Sequence, residues 1–139
     1  MTRINTVDPD ELCDQHLWAE YRELPRIPNA ILHNRISLEN VPEKYTVRTE
    51  GNPDGGKGHV RFFVDKLDWL YWRYMALIGE LRRRGYDPKN KWPSDIIDVP
   101  YVLLWCSWNP DKEAIELNRK RIKERMPKRP RYAGRYVTM

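Results

Sequence analysis

The residues able to do chemistry crowd one end of the chain. Thr2 stands directly behind the initiator methionine in MTRIN, and DQHLWAEYRELPR at 14–26 carries His16, Arg22, Glu23 and Arg26. A side chain as small as threonine favours removal of Met1, which leaves a free α-amine. That amine has an ordinary pKa of about 7.7–8.0 against about 10.4 for lysine, so about a tenth of it is free base near neutral pH. It is a nucleophile that needs no deep burial to tune it. Glu23 is the carboxylate such a nucleophile needs, able to face a developing positive charge and then to move a proton. Arg22 and Arg26 flank it, placed to hold it ionised while gripping anionic groups. Taken alone, Glu23 is an ordinary acid on a helix surface; its company is what marks it.

These side chains need elements to hold them. Asp8-Pro9-Asp10-Glu11 reads as a helix start, with Asp8 as cap, Pro9 first in the helix and Glu11 closing a capping box. The helix is expected to run through ELCDQHLWAEYRE and to kink or break at Pro25 and Pro28. It lacks a clean apolar stripe, and one polar face holds His16, Glu20 and Glu23. A second helix is better defined: Leu67, Leu70, Tyr71, Tyr74, Leu77, Ile78 and Leu81 recur at three and four residues. Arg82, Arg83 and Arg84 sit at its negative end with Gly85 closing it, so those arginines need no ligand to explain them. Asn109-Pro110-Asp111 opens a third helix by the same cap-then-proline logic, with Ala114, Ile115, Leu117 and Ile122 facing inward until Pro127. Residues 36–61 are the least regular, and NPDGGKGH at 52–59 is a loop. Its glycines lack the spacing of a phosphate loop. No strand pair shows a convincing alternation, although VPYVLLW at 99–105 admits an extended reading. The expectation is an all-α fold, one compact domain over 1–139 with three main helices and irregular connections.

Composition bounds the function. The chain has 139 residues, a net charge of +5 and two cysteines, Cys13 and Cys106. The cysteines are too few for a disulfide scaffold and fit a reducing, cytoplasmic setting. No run is long and apolar enough to span a bilayer, and the first residues lack a secretion-signal layout. The charge is uneven: residues 119–139 hold nine Lys/Arg against the single acid Glu124. A basic end on a near-neutral body suits docking to a polyanion, though a solvated basic tail looks the same in sequence.

Four stretches together resemble the viral and phage pyrimidine-dimer DNA glycosylases, which are also AP lyases. They are M-T-R-I-N at 1–5, D-Q-H-L-x-A-E-Y-R-E-L-P-R at 14–26, G-x-G-H-V-x-F-F-x-D-K-L at 56–67 and R-I-x-E-R-x-x-x-R-P at 121–130. The resemblance implies that the Thr2 amine attacks C1′ of a deoxyribose, displaces the base and forms an imine, after which β-elimination cuts the strand. It implies that Glu23 stabilises the sugar cation and takes part in proton transfer. Arg3 and His16 are implied in phosphate contact and support of the site, and Arg22, Arg26, Arg121 and Arg125 in DNA contact. The implied partner is double-stranded DNA carrying cyclobutane pyrimidine dimers, bound by a monomer, with no cofactor, metal or membrane. The nucleotide opposite the lesion is the one expected to flip. The chain departs from the family's best-known members at 28–52 and in the tail RYAGRYVTM. There only Tyr132 and Tyr136 stand where those members carry a cluster of tryptophan and tyrosines, a difference that bears on lesion preference.

Two other readings compete. Cys13, His16 and Glu20, at i, i+3 and i+7, would share a helical face as metal ligands, but the tail adds no carboxylate or histidine partner. A non-enzymatic nucleic-acid-binding module explains the basic tail and leaves Thr2 and Glu23 without a task.

Overall fold

A computed structural model describes residues 3–93 and 108–136; Thr2 and the stretch at 99–105 lie outside them. Among the described residues five helices follow in order: α1 (Asp14–Glu23), α2 (Arg26–Leu32), α3 (His59–Phe62), α4 (Leu67–Arg83) and α5 (Lys112–Glu124). A two-residue hairpin, β1 (Arg131–Tyr132) with β2 (Arg135–Tyr136), is the single sheet among the described residues. The fold is all-α, and its three main helices are α1, α4 and α5.

The first helix starts later than its sequence signals imply. Asp8 does cap, accepting from Asp10 N–H at 3.0 Å, but what it caps is a short 3-10 turn, Pro9–Glu11. Leu12 is then extended, and α1 begins at Asp14. The cause is burial: Leu12, Cys13 and Asp14 are each 0% exposed, and three consecutive residues cannot all face inward from one helix. The expected break at Pro25 is present, while Pro28 is accommodated in the first turn of α2.

The apolar stripe of α4 buries Leu67, Leu70, Tyr74, Leu77 and Leu81, and the helix packs against α1 and the Pro9–Glu11 turn. Gly85 ends it at φ +92°, and Tyr86 N–H returns to the Leu81 carbonyl at 2.9 Å. Arg83 and Arg84 are structural, pairing with Glu80, and Arg84 also reaches Asp14 at 3.0 Å.

Helix α5 differs from expectation in two ways. Its cap is Asp111, which accepts from Ala114 N–H at 2.8 Å, rather than Asn109 with Pro110 first in the helix. Its buried face is Ala114, Asn118 and Arg121, with Ile115, Leu117 and Ile122 only partly covered. The polar face turns inward because α5 lies over an N-terminal segment whose backbone needs hydrogen-bond partners. The hairpin was not expected. Ala133 and Gly134 both take positive φ, +54° and +81°, as a two-residue hairpin turn requires. Asp14 holds that turn: it accepts from Ala133 N–H at 2.9 Å, Gly134 N–H at 2.7 Å and the Tyr86 hydroxyl at 2.7 Å.

Candidate active site

The N-terminal segment, residues 3–7, belongs to no sheet. Four of its amides are satisfied by side chains that converge from three helices. Arg3 N–H donates to Glu23 Oε2 of α1 at 3.0 Å, and Ile4 N–H donates to His59 Nε2 at the start of α3 at 2.8 Å. Thr6 and Val7 N–H both donate to Asn118 Oδ1 of α5, at 2.7 and 3.1 Å. The carbonyls are held too: Ile4 by the Tyr45 hydroxyl at 2.8 Å, and Val7 by the Arg73 guanidinium.

Beneath this segment lies a buried polar network. Arg73 of α4 donates to both carboxylate oxygens of Glu20 at 2.7 and 2.9 Å, and Asn5 donates to Glu20 Oε1 at 2.7 Å. Asn118 in turn donates to Asn5 Oδ1 at 2.8 Å. Every oxygen of Glu20 is thus paired, as a buried carboxylate requires. Glu20 is therefore a structural member of the polar face of α1, with its charge matched by Arg73.

Above the network, Arg3, Asn5, His16, Ala19, Glu20, Glu23, Arg121, Ile122 and Arg125 line a cleft of 250 Å³ between α1 and α5. With Glu20 neutralised, three guanidiniums face one carboxylate. Burial, and then the like charge of Arg125, lowers the pKa of Arg3; burial, Arg3 and Arg125 bring Arg121 down to about 10, still charged at neutral pH. Arg121 is only 7% exposed and donates to the Arg48 carbonyl. Among the described residues neither Arg3, Arg121 nor Arg125 forms an ion pair, and Nη1 of Arg3 is buried without a hydrogen-bond partner. Unpaired buried cations are costly, so an anion entering this cleft would meet ready donors.

His16 lines the same cleft, its Nε2 lying 3.1 Å from the Arg125 carbonyl at the end of α5. The Cys13 thiol beneath it outweighs burial and raises its pKa. Arg22 is exposed and lines a neighbouring surface pocket with Gln15, Trp18 and Arg131. Arg26 is exposed at the start of α2 and lines neither. No ion pair joins Glu23 to Arg22 or Arg26 among the described residues; the Arg3 amide is what touches it. Of the three residues weighed as metal ligands, Cys13 is buried, His16 faces the Arg125 carbonyl and Glu20 is committed to Arg73.

Several residues of this arrangement carried no signal in the spacing. Asn118 and Asn5 fall in no periodic pattern, and Arg48 sits in an irregular loop. His59 stands inside the G-x-G-H-V motif, where only the resemblance marked it.

Fold and cleft define a class: a helical protein that presents cations around one carboxylate to an anionic ligand. A family model for pyrimidine dimer DNA glycosylases matches residues 1–94. The chain belongs to that family, so its substrate is DNA and its work is DNA repair. The match ends before α5, and the cleft is completed from outside it by Arg121, Ile122 and Arg125.

Proposed function

We propose that the protein is a combined glycosylase and AP lyase for cyclobutane pyrimidine dimers, with the α-amine of Thr2, freed by removal of Met1, as nucleophile. The observation that supports this most is the 3.0 Å bond from Arg3 N–H to Glu23. Standard bond lengths keep the nitrogen of residue 2 within about 3.7 Å of the nitrogen of residue 3. A carboxylate bonded to the second nitrogen is therefore in reach of a sugar attacked by the first.

In this scheme the amine attacks C1′ and the glycosidic bond breaks, its electron pair and a proton leaving with the base. Glu23 faces the positive charge that builds on the sugar. The C1′–O4′ bond then breaks, its electron pair and the nitrogen's remaining proton going to O4′, and the open-chain imine results. The imine acidifies C2′, and Glu23 accepts that proton. The C3′–O bond then breaks, its electron pair leaving with the phosphate, and water hydrolyses the imine. Arg3, Arg121 and Arg125 bind phosphates in the cleft, Arg22 and Arg26 bind the backbone beside it, and His16 anchors the end of α5. No metal or cofactor takes part, and one chain suffices.

A dimer weakens stacking and pairing, so bending the duplex there costs less than in intact DNA. Bending and flipping a nucleotide expose the sugar. The test is direct. In chelator, Met1-free protein should nick ultraviolet-irradiated plasmid, spare unirradiated plasmid, and be joined to abasic-site DNA by borohydride. Equal nicking of both plasmids, or no covalent adduct, rejects the reading.

A further inference from the structure

A chain end ordinarily frays, and a strand in a sheet can slip in register by two residues. The segment at 3–7 is held against both, because the amides of residues 3, 4, 6 and 7 meet acceptors on three different helices, α1, α3 and α5. His59 is the most demanding of these. Its Nδ1 lies 2.7 Å from the Thr46 carbonyl and its Nε2 lies 2.8 Å from Ile4 N. A carbonyl only accepts and a backbone amide only donates, so Nδ1 carries the proton and Nε2 offers its lone pair. One neutral tautomer satisfies both partners, and neither the imidazolium nor the other tautomer does. The ring is 1% exposed and is fixed edge-on by Tyr45 and Phe63, at 5.5 and 5.6 Å between centroids. Tyr45 in turn holds the carbonyl of the same residue, Ile4.

We infer that His59, with Tyr45, is a positioning residue for the N-terminal nucleophile, fixing residue 4 and with it the Arg3 amide bonded to Glu23, on which the reach of the α-amine depends. The inference rests on the assignment of that amine as nucleophile. Its physical basis is reach: residues 2 and 4 are joined by two peptide units, each with only two soft dihedrals per residue. A donor–acceptor pair lost at Ile4 therefore translates into displacement at the amine. Misplacement of a reacting group by about 1 Å costs on the order of 100-fold in rate.

The experiment compares wild type, His59→Leu, His59→Gln and Tyr45→Phe. It measures single-turnover base release at saturating lesion DNA, borohydride trapping on abasic-site DNA, and affinity for lesion DNA, at a temperature where circular dichroism shows each protein folded. His59→Leu removes donor and acceptor together, and base release should fall about 100-fold with affinity within about twofold of wild type. His59→Gln keeps one donor and one acceptor and should regain at least about tenfold of that loss. Tyr45→Phe deletes only the hydroxyl and should slow the reaction roughly fivefold, the equivalent of one ordinary hydrogen bond. It carries the test alone if the leucine variant does not fold. Wild type that traps, beside folded variants that release base at its rate or lose only affinity, overturns the positioning role while leaving the nucleophile intact. Wild type that fails to trap removes the nucleophile and the positioning role with it.

Discussion

Acidification should unfold this protein earlier than its carboxylates dictate, and the cause is His59. Burial brings the pKa of His59 from the ordinary 6.5 down to about 4, against the weaker pull of the Thr46 carbonyl. The charges facing the ring, Arg3 from the N-terminal segment and Arg121 from α5, oppose protonation further. Between pH 6.5 and 4 the unfolded chain holds a proton on this imidazole and the folded chain does not, so stability falls as pH falls through that window. It stops falling from this source below pH 4, where both states are protonated. The linkage relation gives a loss of about 2 kcal/mol by pH 5 and about 3 kcal/mol by pH 4, a large part of a typical stability of about 5–15 kcal/mol. Other groups titrate elsewhere. Burial works against ionising Asp14 and Glu80, but Tyr86 and backbone amides at Asp14, and Arg83 and Arg84 at Glu80, outweigh it. Both carboxyls thus sit below their ordinary range and matter only as pH falls below about 4.5. His16, with its pKa raised, contributes stability that is lost as pH rises, on the other side of the window. Urea unfolding at pH 7, 6, 5 and 4.5, for wild type and His59→Gln, isolates the effect. Parallel stability curves for the two proteins between pH 6.5 and 4.5 would refute the neutral, acceptor assignment of His59 Nε2.

Further outcomes test the catalytic and binding assignments. Glu23→Gln should bind lesion DNA nearly as well as wild type and lose base release, as single-turnover kinetics and gel shifts will show. Retaining Met1, or acetylating Thr2, should abolish borohydride trapping and strand cleavage together; a blocked protein that still traps would place the nucleophile on an internal lysine. Arg121→Ala with Arg125→Ala should flatten the log–log dependence of DNA affinity on salt by about two, since each phosphate contact contributes roughly 0.9 to the slope. Asp14→Ala strips the hairpin turn and Arg84 of their shared acceptor, and removal of one partner of a buried pair costs about 3–5 kcal/mol. The melting temperature should drop accordingly, with amide exchange at Ala133 and Gly134 rising first.

What the sequence by itself determined was local. The stripe of α4, its glycine stop, the Asp8 cap and the break at Pro25 were legible because helix periodicity, caps and proline act over a few residues. The motif at 14–26 brought His16, Arg22 and Glu23 onto one helix for the same reason, with Arg26 beyond the proline break. Tertiary structure decided the rest. It cut the first helix at Leu12, because three adjacent residues had to be buried. It turned the polar face of α5 inward, because the unpaired backbone at residues 3–7 needed acceptors. Thr6 meets Asn118 across 112 residues of chain, Ile4 meets His59 across 55, and Ala133 meets Asp14 across 119. A hydrogen bond between single groups so far apart leaves no period or spacing to read. It forms because folding has already desolvated both partners, and a buried amide or carbonyl left unpaired costs more than the bond itself returns.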